Sequence, residues 1–412
     1  IAATGLGAAT GAMRWQRGLD EIPLPDVRPA GTVRTAVETV TGRHRPPAEL
    51  AVPVHGTLLS GDALTRQLDR WVADGILEPS VAESVRTVAA HPEWLSLPGR
   101  TLVALGAGAE IGPTSPLLRW GATVAGIDLR RPDIWSRVLE SAAEGAGRLL
   151  VPTHQGSPAL ERRAGFDLIS ELPDVAAWVR ELPGSLVLGN YLYADGGTHV
   201  RATASVDALA TMLRGDRPDL TLAFLATPTD VFAVPGDAVA HSVRAYESRS
   251  PLTAVPARAL RTVSGGRLLR RAYRPGAEPG LNDCLVPQQG PNYALAKRLQ
   301  RWRATTEAAE GRRVSLNVAP PTRTRSVLKN RALAAAYAGA GRFGIRVFEP
   351  ATTRVLMAAL LVHDLHTEPP AVAHPWQAEA HQAAHGGLWR AAYEPRSALG
   401  LAALLGYGAS RS

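Results

Sequence analysis

Cysteine, lysine and long apolar runs are nearly missing from this chain of 412 residues, and each shortage excludes something. The single Cys284 allows no internal disulfide framework and no cysteine-based zinc site. No apolar run reaches the roughly 18 residues of a membrane span, so a cytoplasmic protein with no membrane partner is expected. Residues 1–12 are small and Gly-rich, lack a basic leader region and do not begin with Met; they read as a trimmed terminus rather than a signal peptide. Lys occurs only at Lys297 and Lys329, so Arg supplies 43 of the 45 basic residues. The net charge of +8 permits an anionic partner, but the arginines are scattered among acids with no long basic run, so no nucleic-acid partner is expected.

What is present is an alternation of short apolar runs and helical patterns. With 45% hydrophobic and 20% charged residues, the length predicts one large α/β domain with additions, or two domains. Residues 1–99 read as a helical and irregular N-terminal cap, with apolar stripes at Leu64, Leu68, Trp71 and Val72 and at Val81, Val85 and Val88. From 100 to 350 strands are predicted at 101–105, 123–127, 148–151, 185–190, 220–226, 314–318 and 344–348, separated by helices. That pattern implies a doubly wound parallel sheet, a Rossmann-type fold of about seven strands. An insertion at 231–290, Arg-rich between Arg258 and Arg274, precedes the helix that starts near Pro291, and is placed over a site mouth or on the surface. Residues 351–412 form a helical C-terminal extension with helices at 356–365 and 376–393; 397–407 is apolar enough to cover a pocket or a dimer contact.

Three stretches carry chemistry. Gly106, Gly108 and Gly112 follow the first strand, and Asp128 ends the next, 22 positions after Gly106. Such glycines permit a tight turn and close approach of a pyrophosphate, and the acid accepts hydrogen bonds from an adenosine ribose. Arg130 or Arg131 would meet a 2′-phosphate instead. Tyr293 and Lys297 lie four apart, on one face of a helix. An ammonium beside a phenol favours the phenolate and brings its proton exchange below the free value of about 10, as carbonyl–alcohol interconversion requires. The segment Asn190–His199 follows a strand's carboxyl end, where Tyr191, Asp195 and His199 are candidates to touch substrate. In the tail, His381 and His385 are four apart on a predicted helix, a metal-capable spacing, although Gln382 stands where a zincin has Glu.

The order of these motifs resembles the short-chain dehydrogenase/reductase superfamily over roughly residues 100–350. Leu105–Gly112 is similar to its T-G-x-x-x-G-I-G turn, Asn190 falls where N-N-A-G lies, Tyr293 and Lys297 match Y-x-x-x-K, and Asn317–Thr322, with Pro320, resembles N-x-x-x-P-G. The resemblance implies NAD or NADP binding through Gly106, Gly108, Gly112, Asp128, Arg130, Asn190, Lys297 and Pro320, and hydride transfer with Tyr293 as acid/base and Lys297 as its activator. Thr227 and Thr229 supply the hydroxyl that the family takes from a Ser nearer the Tyr. Glu110 replaces a family glycine and must turn away or meet a cation. An anionic or acyl-type small-molecule substrate and a homodimer or homotetramer are expected, with no resident metal. Two other readings stay open: a non-redox binding protein on the same scaffold, and a metal-dependent hydrolase using the His-rich tail.

Overall fold

The computed structural model describes residues 1–33 and 35–408. Its centre is a seven-stranded sheet of β1 (Ala36–Thr41), β2 (Arg100–Leu105), β3 (Thr123–Ile127), β4 (Arg148–Thr153), β5 (Ser185–Asn190), β6 (Thr221–Ala226) and β7 (Val314–Val318). The spatial order is β7-β6-β5-β2-β3-β4-β1. All neighbours are parallel except β1, which pairs antiparallel with β4 at one edge. The six parallel strands therefore follow the doubly wound order, with the chain reversing direction between β2 and β5.

Because side chains alternate across a strand, apolar runs buried on both sides feed two cores. Leu102, Ala104, Val124, Val187 and Leu225 pack under helices Gly61–Ala73, Pro79–Ala90, Pro132–Ala143 and Pro350–His366. Val103, Leu105, Ile127, Leu188 and Phe224 face the other way, against Leu172–Arg180 and Gly197–Arg214. The Tyr293 helix, Gly290–Ala309, connects β6 to β7 and packs against Gly197–Arg214.

Two expectations are corrected, and two segments gain detail. The seventh strand is Ala36–Thr41, inside the region read as a cap; Gly344–Phe348 makes only an isolated bridge from Phe348 to Thr322, and its Ile345 and Val347 line a cavity. Residues 2–11 form a helix that docks on the Tyr293 helix; a Cβ at Gly5 would lie 2.7 Å from the Trp302 ring, so a side chain there would displace the ring. The helix expected over 376–393 spans only Pro375–Ala380, and Gln382 follows with φ +58°. The insertion is anchored by its own hairpin, Val231–Val234 with Gly280–Asp283, and carries helices Gly236–Glu247 and Pro251–Val263. Among the described residues no helix is long and apolar enough to cross a membrane.

Candidate functional site at the carboxyl edge of the sheet

The glycine turn leaves β2 where the winding reverses. Gly106 has φ +85°, and a Cβ there would sit 3.0 Å from the Tyr191 backbone, so the turn is seated on the loop that leaves β5. Asp128, at the end of β3, accepts hydrogen bonds from the backbone N–H of Gly108 and of Leu129, each at 2.8 Å. Burial raises its pKa, against the pull of those two N–H groups. Glu110 turns out of the crevice: it accepts from the Arg325 N–H at 2.9 Å and lies 3.6 Å from the Arg325 guanidinium. Arg130 is paired with Glu171, and Arg131 with Asp133 at 2.8 Å. Pro320 is buried beyond β7, its carbonyl accepting from Thr322 at 2.8 Å. Asn317 faces the tail instead, donating to Asp364 at 2.9 Å.

Two strands away, a distance of about 10 Å at ordinary sheet spacing, the Tyr293 helix meets the end of β6. Tyr293 lies close enough to Thr227 for that hydroxyl to favour the phenolate, the Thr227 and Thr229 hydroxyls lie 2.8 Å apart, and Thr229 donates to Gln289 Oε1 at 2.8 Å. Residues 66 positions apart in the chain thus form one line of hydroxyls. Ion pairs hold the helix in register: Asp230 accepts from Arg298 at 2.8 Å and from Arg301 at 2.7 Å, and Arg301 also pairs with Glu379 at 2.6 Å.

Asn190 and His199 join the two halves. Asn190 is 1% exposed; its Oδ1 accepts from the Leu192 N–H at 3.3 Å, and its Nδ2 makes no hydrogen bond within the described chain. The His199 ring lies 5.5 Å from each of the Tyr193 and Tyr293 rings, measured between centroids. Neither of its nitrogens makes a hydrogen bond of ordinary geometry, though the Leu192 backbone is near enough to favour its protonated form slightly. Burial, together with the Lys297 charge, pushes His199 down to about 4, so it is neutral. Tyr193 and Asp195 sit at the rim, hydroxyl to carboxylate at 3.0 Å.

The electrostatics run opposite to the expected activation. Burial pushes Tyr293 up to about 12, the nearby Thr227 hydroxyl opposing it. Burial also pushes Lys297 down to about 8. Its Nζ donates to the Leu225 carbonyl and to Gln300 Oε1, both at 3.2 Å, rather than to the phenol. A carbonyl at a strand end and a neighbouring amide are the partners that helix packing offers first, and desolvation outweighs any help the ammonium gives the phenolate.

The tail histidines do not converge. His381 and His385 lie outside any helix, and His385 Nε2 is 2.9 Å from Glu78. Among the described residues no group of three or more His, Cys, Asp or Glu side chains is placed to hold a metal ion. Sequence reasoning missed Asp230, Thr203, Gln300 and Tyr337. Each is a lone polar residue whose partners lie far along the chain, so no local pattern marks it.

A scan against protein-family models gives no match, and neither does a search of curated proteins.

Proposed function

We propose that the protein is a nucleotide-dependent oxidoreductase of the short-chain dehydrogenase/reductase type, interconverting a carbonyl and an alcohol on a small molecule. One observation carries the reading: Tyr293 stands beside the Thr227–Thr229 hydroxyl pair at the end of β6, its ring 5.5 Å from that of His199, with the glycine turn two strands away. The residues present fit a dinucleotide. Asp128 is a largely buried carboxylate beside glycines at the reversal point, and Glu110 is turned away from them. Gly106, Gly108, Gly112, Asp128, Asn190, Lys297 and Pro320 would hold it. Arg130 and Arg131 already have carboxylate partners, which favours NAD over NADP. When bound, the nicotinamide supplies or accepts a hydride.

In the reducing direction, Tyr293 would give its hydroxyl proton to the carbonyl oxygen, carbon would gain the hydride from the bound dinucleotide, and the phenol would recover its proton from solvent through Thr227 and Thr229. A phenol pushed up to about 12 is a proton-bearing acid at neutral pH, which suits reduction. Thr227 would orient that hydroxyl, and Asn190 keeps an amide N–H without a partner among the described residues. Calorimetry with NADH and NADPH on the wild type and on Lys297→Ala tests the reading, and no binding of either by the wild type overturns it. Tyr293→Phe is expected to lower turnover of a responsive carbonyl by about 10²–10⁴-fold with cofactor affinity unchanged.

A second reading, cofactor or ligand binding without redox turnover, draws on the raised phenol and on the Lys297 hydrogen bonds that bypass it. NADH binding with no turnover across a broad panel of carbonyls and alcohols would favour it.

A further inference from the structure

We infer that the substrate of this site carries a neutral, apolar body, which seats in a cavity beginning at Thr229; the inference rests on the preceding reading for the chemistry at the cavity's inner end. The cavity opens to solvent, and with the open space at its mouth counted it spans about 670 Å³. Its walls come from segments that the sequence separates widely: Val286 from the end of the insertion, Ala336 and Phe343 from the region after β7, and Ala398 and Leu399 from the last helix, Pro395–Gly406.

The polar residues are few: Thr229, Cys284, Tyr337, Tyr393 and Arg396. The Thr229 hydroxyl lies 2.8 Å from that of Thr227, the neighbour of Tyr293. Tyr337 lies close enough to Tyr293 for the charge of one phenolate to disfavour the other. Arg396 is the sole charged residue among those lining the cavity, and it is committed to Asp283 at 2.6 Å. None of the lining residues is an acid or a lysine.

A sugar, polyol or charged chain placed here would leave its polar groups unpaired, which is strongly unfavourable, whereas methylene or aryl carbon would be driven in from water. The Arg-rich stretch 258–274, read from sequence as a means of meeting an anion, contributes no residue to these walls. The substrate class is therefore an apolar ketone, aldehyde or the matching alcohol. The reacting carbon stands near Tyr293 and the body extends past Thr229 toward the last helix. That helix turns Ala398, Leu399 and Ala402 to the cavity, while Leu404 and Leu405 are exposed.

Displacement of Nile red from the full-length chain by straight-chain methyl ketones of increasing length tests the inference, with a ketose as the polar control. Affinity is expected to rise roughly fourfold per added methylene until the cavity is filled, then level off. The ketose is expected not to compete. Ala336→Phe and Ala398→Phe fill the cavity from the two packed helices Arg331–Gly339 and Pro395–Gly406, neither of which carries a member of the hydroxyl line. Each is expected to abolish the length dependence while NADH binding, measured on the same preparations, stays unchanged. Affinity that ignores chain length in the wild type, or a length dependence that survives in a folded filled variant, overturns the inference. Length-dependent ketone binding without NADH or NADPH binding sinks the redox reading and leaves the cavity assignment standing. Dinucleotide binding with ketones indifferent to length does the reverse.

Discussion

Two buried polar clusters use similar side chains to opposite ends. In the first, Glu78 accepts from His385 at 2.9 Å and from two Arg390 nitrogens at 2.8 and 2.7 Å. Arg390 continues to Asp237 at 2.6 Å, and His385 Nδ1 accepts from the Gly387 N–H at 3.0 Å. In the second, around Tyr293, Asn190 Nδ2, both nitrogens of His199, Thr203 Oγ1 and Gln300 Nε2 make no hydrogen bond within the described chain. A closed network ties elements together and leaves nothing for a ligand to meet. Open valences in a well-packed interior need an explanation; others are scattered through the molecule, but these four residues lie together at one sheet edge near an acid/base candidate. Degree of saturation, more than residue type, separates scaffold from site in this molecule.

The largest test breaks the closed cluster. Burial alone would raise Glu78, but hydrogen bonds from His385 and Arg390 and their charges hold it at about 2. Burial keeps His385 low and therefore neutral at neutral pH, so Arg390 is the cation of the pair. Arg390→Met strands a buried carboxylate, and urea denaturation at neutral pH should show a loss of about 3–5 kcal/mol. The folded pKa of Glu78 is depressed from 4.5, so the wild-type contribution is intact above that pH and fades as pH falls toward 2. In Arg390→Met that acid-side loss should shrink. A stability change under about 1 kcal/mol would show that the cluster is not a true structural tie.

Lys297 probes the open cluster with the opposite sign. Its folded pKa is depressed from 10.5 to about 8, so between those values the unfolded chain holds a proton that the folded chain has lost. Stability therefore rises with pH across that window, and below it the full penalty, of order 2 kcal/mol, is present. Tyr293 opposes this only above its ordinary 10.0, because its pKa is raised. Lys297→Met should flatten the rise between pH 8 and 10 seen in wild-type denaturation curves. A slope that persists in the variant would assign the titration to another group.

How much of this was legible depended on contiguity. The strand–turn–strand unit from Thr101 to Asp128 was readable because its apolar runs, glycines and acid fall within one short stretch, and the strands at 123–127, 185–190 and 314–318 are observed with those bounds. β1 was not readable. As an edge strand it buries little, and its partner β4 lies more than 100 residues ahead. Gly344–Phe348 looked like a strand because Ile345, Val347 and Phe348 are apolar, but apolarity there serves a cavity wall and a core contact. In the site, Tyr293 and Lys297 could be paired from spacing alone. The approach of Tyr293 to Thr227, the Asp230 ion pairs and the Lys297 hydrogen bonds all depend on how the helix settles on β6, which no local pattern records.

The smallest test applies one substitution to both kinds of environment. Thr203 and Thr353 are each at most 2% exposed, and Thr→Val replaces a hydroxyl by a methyl of similar shape. Thr353 is saturated: its hydroxyl lies 2.7 Å from that of Thr322, which itself donates to the Pro320 carbonyl. Thr353→Val should cost about 1 kcal/mol, the net worth of one buried hydrogen bond. Thr203 Oγ1 has no partner within the described chain, and it lines a small cavity shared with Asn190 and Gln300. Thr203→Val deletes an uncompensated polar group, so it should be neutral or stabilising by up to about 1 kcal/mol. The difference in sign between the two variants, read from paired denaturation midpoints, measures saturation directly. If Thr203→Val instead costs as much as Thr353→Val, its hydroxyl is bonded in solution, and the open character assigned to that corner of the site is lost.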